Sequence, residues 1–178
     1  MAIELPGMVS FLLSMTTLAL IYALLALGLN VHYGYTGLLN FGHVAFFAAG
    51  AYTAAIVTIP PPGTVSGGAD YAIGLGVPMP FGVVISLGAS ALVGGILALL
   101  IGLTSVRLGN HYLAIATFAL AGIFEEFIRN EAWLTRGVKG LNNVPKPGRS
   151  ALGADLWGLV YMLFAAALVV GTYLIIER

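Results

Sequence analysis

Apolar residues in this chain do not alternate with polar ones; they come in long unbroken runs. Between Leu5 and Ala69, and again between Tyr71 and Val106, there is no Asp, Glu, Lys or Arg. A helix that crosses about 30 Å of hydrocarbon needs roughly 20 consecutive apolar residues. The runs predict about five such helices: Met8 to Leu29, Leu38 to Ile59, Pro80 to Thr104, His111 to Asn130 and Leu156 to Ile176. Pro60-Pro61-Pro62 ends the second, since proline cannot continue a helix. Residues 60–79 form a Pro/Gly-rich loop with one charge, Asp70; Arg107 marks a short connector; a polar loop covers 131–155. In lipid each backbone polar group must be satisfied internally, so the spans are expected to be helical. A barrel would need shorter strands of alternating polarity, which the runs do not show. The expected fold is an all-α, polytopic membrane bundle.

Composition agrees with this. Hydrophobic types make up 60% of the 178 residues and charged types 8%, against roughly 25% charged in soluble domains. Most of the charge sits in one region, with Glu125, Glu126, Arg129, Glu131, Arg136, Lys139, Lys146 and Arg149 close together. The net formal charge is zero, which gives no footprint for nucleic acid. The absence of cysteine excludes disulfides and thiolate chemistry. Met1 to Met8 carries one acid and no base, unlike a secretory signal, so the first hydrophobic run is expected to be a retained helix.

Three features stand out from the apolar background. On the third span, Gly82, Ser86, Ser90, Gly94, Ala98 and Gly102 place a small residue at every fourth position. Such a stripe lets helix backbones approach closely and predicts packing against protein rather than ligand binding. On the fourth span, Arg129 follows Glu125 by four residues and Glu126 by three, so a local ion pair is available. These charges either reach the interface from a helix end or face the bundle interior. The third feature is the join between the first two spans, which is rich in glycine and in neutral hydrogen-bonding groups. Gly34 and Gly37 permit non-helical backbone. Asn30, Tyr35, Thr36, Asn40 and His43 can satisfy freed backbone groups or face a polar cavity. A broken or re-entrant segment near residues 30–43 is expected, either as an interfacial hairpin turn or as part of a substrate pathway. With no acid or second imidazole near His43 in sequence, a metal site is not expected.

The run from Gly28 to Thr53, GLNVHYGYTGLLNFGHVAFFAAGAYT, resembles the permease subunits of branched-chain amino acid ABC importers. A second run agrees: Tyr112-Leu113-Ala114-Ile115-Ala116-Thr117, then Leu134-Thr135-Arg136-Gly137 and Gly140-Leu141. The family shows a YLAI-T segment, an L-T-G-G turn and a Gly-Leu pair at similar spacing. Here Arg136 stands in place of the first glycine of that turn. Glu125, Glu126 and Arg129 replace an acidic residue that the family often has near Gly122, with an arginine about a turn later.

The resemblance implies a permease that forms part of a translocation pathway for branched-chain amino acids, or for small relatives such as urea or a short amide. The partners it implies are a cytoplasmic ABC ATPase, a second permease subunit and an extracytoplasmic substrate-binding protein, in the lipid bilayer of a prokaryotic inner membrane. It places the 131–155 loop outside, against the count of Arg136, Lys139, Lys146 and Arg149 under the positive-inside rule. Family members continue past this point, so the single permease domain, 1–178, is expected to be incomplete at its C-terminus. There is no G-x-x-x-x-G-K-[ST] and no G-x-S-x-G, so neither ATP binding by a P-loop nor a serine hydrolase is expected, and no cofactor is implied. The competing reading is a small non-transporting membrane scaffold, or a degenerate permease remnant; an ion-coupled carrier is disfavoured by the charge-free first three spans.

Overall fold

The computed structural model describes residues 7–61, 73–105 and 108–177. The part of the 60–79 loop that holds Asp70, and the Arg107 connector, lie outside the described residues. Among those described, all regular structure is helical, and the chain is a membrane helix bundle as the apolar runs predict. Three helices are long and apolar enough to cross a membrane: α1 (Gly7–Thr36), α3 (Phe81–Ser105) and α7 (Ala154–Glu177). The other two expected spans differ. Helix α2 (His43–Thr58) has 16 residues, or about 24 Å of rise, short of the hydrocarbon core. Helix α4 (Asn110–Asn130) has 21 residues but carries Glu125, Glu126 and Arg129 in its last two turns. Short helices α5 (Ala132–Thr135) and α6 (Arg149–Leu152), with a 3-10 turn at Gly137–Lys139, lie between α4 and α7.

The chain forms two compact units. The first combines residues 1–37 with 148–178. In it α1 packs on α7, with Leu13 beside Gly158 near the start of both helices and the Tyr35 hydroxyl donating to the Ile176 carbonyl at 3.1 Å near their ends. The two helices therefore run parallel. The stacked rings of Trp157 and Tyr161, centroids 4.9 Å apart, lie on the first turns of α7, where aromatic rings suit a headgroup region.

The break expected near residues 30–43 is narrower than its sequence signal. Helix α1 continues through Asn30, Gly34, Tyr35 and Thr36. It ends because Gly37 adopts φ +66° and its N–H donates to the Tyr33 carbonyl at 2.9 Å, a left-handed C-cap that glycine adopts without strain. Thr36 returns its hydroxyl to the His32 carbonyl. Glycine inside a helix costs only about 1 kcal/mol relative to alanine, so Gly34 does not stop it.

The second unit, residues 38–147, contains α2, α3 and α4. Helices α2 and α3 are antiparallel, with the Ser90 hydroxyl donating to the Gly50 carbonyl at 2.9 Å and Thr58 packed on Gly82. The small-residue stripe thus divides. Gly82, Ser86 and Ser90 take up close packing, and a Cβ on Gly82 would stand 2.7 Å from the Val77 carbonyl oxygen. Gly94 and Gly102, further along α3, have open space around them.

The best-buried part of this unit is the end of α2, where Ala55, Val57, Thr58 and Ile59 are enclosed and Leu141 packs against Ala55 and Ile59. Its last carbonyls have no partner within the helix. The returning segment supplies one: the N–H groups of Leu75, Val77 and Gly76 donate to the carbonyls of Ile56, Val57 and Ile59 at 3.0, 3.1 and 2.8 Å. That return is possible because residues 74 and 76 are glycines, since a Cβ at either would fall within 2.6 Å of Pro60 or Pro61.

Candidate functional site

The site is built around the start of α2. Asn40 accepts a hydrogen bond from the Gly42 N–H through its side-chain oxygen at 3.0 Å, a local turn that redirects the chain into the helix. At this turn the backbone crosses the middle of α4. A Cβ on Gly42 would meet the Thr117 carbonyl oxygen at 3.4 Å and the Thr117 Cβ at 3.5 Å, so a bare backbone is what lets the two elements touch. Thr117 is 1% exposed. Its hydroxyl accepts from the Phe41 N–H at 3.1 Å and donates to the Ala114 carbonyl at 3.1 Å. One side chain therefore ties the join between α1 and α2 to α4.

Beside this crossing, residues of α2 and α4 line a cavity of about 660 Å³. That volume lies within the range of small-molecule sites. One wall is the face of α2 that carries Val44, Ala48 and Tyr52; the other is the face of α4 that carries Phe118, Gly122 and Glu125. Positions four apart, or three and four apart, share a helix face. Phe41 and Phe118 meet edge to face at the crossing, ring centroids 6.4 Å apart. No neighbour lies within 4 Å of a Cβ built on Gly122, so this glycine leaves free volume in the wall.

The far end of the cavity is polar. Arg129 Nη2 donates to Glu125 Oε1 at 2.8 Å, and both residues line the cavity. Glu126, the other acid expected to be able to pair with Arg129, instead accepts from the Asn130 side-chain amide at 2.8 Å. Arg129 joins the acid four residues before it, the order that suits i,i+4 pairs.

The turn that follows α4 adds Gly137, Val138 and Gly140 to the lining. Thr135 is 2% exposed; its hydroxyl donates to the Glu131 carbonyl at 2.9 Å and accepts from the Gly137 N–H at 3.2 Å. Gly137 has φ +58°, and a Cβ there would stand 2.8 Å from the Arg129 carbonyl oxygen. Arg136 has φ +63°. The position where this chain replaces a glycine of the L-T-G-G pattern is thus one whose backbone favours glycine.

The five polar residues singled out in the sequence do not line the cavity. Asn30, Tyr35 and Thr36 belong to α1, where the Tyr35 and Thr36 hydroxyls satisfy backbone carbonyls. Asn40 shapes the turn, and His43 is the first residue of α2. The lining comes from their apolar neighbours Phe41 and Val44, and from a face of α4 recognised in sequence only through Glu125 and Arg129. The signal that could have found it is the helical spacing of Phe118, Ala121, Gly122, Glu125 and Ile128, which puts two small residues and one charge among apolar ones on one face.

Comparison with known proteins gives one consistent result. The family model for the branched-chain amino acid transport system permease component matches residues 11–178. Two curated relatives are high-affinity branched-chain amino acid transport system permease proteins LivM. The one from Escherichia coli (strain K12) is 32% identical over 148 residues, covering 83% of this chain and 31% of the relative. The one from Salmonella typhimurium is 33% identical over 147 residues, covering 82% of this chain and 30% of the relative. The chain therefore spans about a third of the length of the relatives it matches. No solved structure matches.

Proposed function

This chain belongs to the branched-chain amino acid transport permease family, and from that premise we propose that it is a membrane-spanning permease component of an ABC importer. It contributes part of the route for branched-chain amino acids or similar small polar solutes across a prokaryotic inner membrane. ATP hydrolysis resides on a separate cytoplasmic ATPase, a second permease subunit completes the pathway, and an extracytoplasmic binding protein delivers the solute. The ATPase cycle moves the pathway between outward- and inward-facing forms by favouring one over the other.

One observation supports this reading above the rest. The two separated motifs that carry the resemblance meet in one place. Phe41 and Gly42 of the first touch Thr117 of the second, and the cavity beside that contact is lined by Phe41 to Tyr52 on one side and Gly137 to Gly140 on another. A scaffold has no use for such a space.

The test is purification of the tagged chain from its native membrane after cross-linking. A P-loop ATPase should be recovered with it in comparable amount, and deleting the gene should lower leucine uptake. Recovery of other membrane helices without any ATPase, and unchanged uptake, would support the scaffold reading instead.

A further inference from the structure

The cavity between α2 and α4 is asymmetric in a way that constrains its ligand. Its crossing end is apolar, lined by Phe41 and Phe118; its other end is open and carries the Glu125–Arg129 ion pair, whose side chains are both more than half exposed. Phe118 and Glu125 are seven residues apart on one helix face, about 10 Å along the axis. Between them the wall is stripped of bulk by Ala48, Ala121 and Gly122.

We infer that this cavity is a binding site for a zwitterionic α-amino acid with an aliphatic side chain, with Glu125 and Arg129 holding its charged end. The inference rests on the importer reading and adds to it the residues that recognise the solute. The ion pair engages one oxygen of Glu125 and one nitrogen of Arg129. A carboxylate accepts at two oxygens and a guanidinium offers five N–H donors, so both groups keep capacity for a ligand. The amino acid's ammonium bonds Glu125, its carboxylate bonds Arg129, and its side chain fills the volume that Gly122 leaves. Other ligand classes fit less well. A simple anion meets Glu125, a simple cation meets Arg129, and a small neutral amide leaves the apolar half of the cavity unfilled.

The experiment measures binding to the full chain in lipid nanodiscs by titration calorimetry. The probes are L-leucine, isovalerate, which lacks the ammonium, and isoamylamine, which lacks the carboxylate. Leucine should bind, and each analogue should bind about tenfold or more weakly. Glu125→Gln should weaken leucine by about tenfold and abolish its advantage over isovalerate; Arg129→Gln should do the same relative to isoamylamine. Gly122→Leu should block binding while leaving the helical circular-dichroism signal intact, because open space surrounds that position. Ala48→Leu gives a second obstruction from the opposite wall.

No leucine binding to the unmodified chain, equal binding of the three probes, or unchanged affinity in the Glu125 and Arg129 variants would overturn the site. The importer reading fails separately. Recovery of an ATPase without leucine binding here removes only this site, and leucine binding without an ATPase keeps the site and removes the importer.

Discussion

Thr117→Val removes one hydroxyl and changes little else about the size of the side chain, at a position 1% exposed. The hydroxyl's principal service is to accept the Phe41 N–H at 3.1 Å, across 76 residues of sequence. Its donation to the Ala114 carbonyl duplicates an acceptor already used within α4. The variant therefore leaves one main-chain donor unmatched, at about 1–3 kcal/mol. The Phe41 N–H is only partly buried, which places the expected loss toward the lower part of that range. Thr117→Ser keeps the hydroxyl and loses one methyl, about 0.8 kcal/mol by transfer. Amide hydrogen exchange in micelles separates the two. In Thr117→Val, exchange at Phe41 should quicken by about five- to thirtyfold, since 1.4 kcal/mol is tenfold in an equilibrium constant. In Thr117→Ser it should stay near the unmodified rate. If the serine variant opened this amide as far as the valine variant, packing of the methyl and not the hydrogen bond would be holding α2 to α4.

Gly82→Ala and Gly94→Ala lie on the same stripe of α3 but should differ: the first lowers stability, because its Cβ meets the Val77 carbonyl at 2.7 Å, and the second is neutral or slightly stabilising in a denaturant titration. Arg136→Gly should raise stability by up to about 1 kcal/mol, because it relieves a left-handed backbone at a non-glycine residue. Gly137→Ala should lower stability by more than that, through its positive φ and its contact with the Arg129 carbonyl, and should also weaken leucine binding by displacing a turn that lines the cavity.

How far the sequence reached differs from element to element. The apolar runs at α1, α3 and α7 were long enough to be read directly, because lipid leaves helices few alternatives. The end of α1 and the start of α2 were not. Glycine and polar residues begin to cluster at Gly28, but a helix tolerates them, and α1 stops only where Gly37 supplies a left-handed cap. The start of α2 is set by the side chain of Asn40 bonding the Gly42 N–H, a turn that apolar periodicity does not register. Helix α2 ends at Thr58, one residue before the end expected from Pro60-Pro61-Pro62, and is shorter than the expected span because this turn delays its start to His43. At the site, the Glu125–Arg129 pair was legible from i,i+4 spacing. Its setting was not, because the opposite wall comes from Val44, Ala48 and Tyr52, ordinary residues on an apolar helix. The polar residues that drew attention, Asn40 and Thr36 among them, satisfy backbone groups instead.

We propose that the space between α2 and α4 belongs to a solute pathway. The chain has no cysteine, so single thiols can be placed in it without background. The most direct measurement is the rate at which a charged, water-soluble thiol reagent modifies Gly122→Cys and Ala48→Cys in intact membranes, with Leu92→Cys on the exposed apolar surface of α3 as the reference. The two cavity thiols should be modified fast, and more slowly with added leucine, while Leu92→Cys should react little. Cavity thiols that react no faster than Leu92→Cys, and are indifferent to leucine, would contradict that proposal.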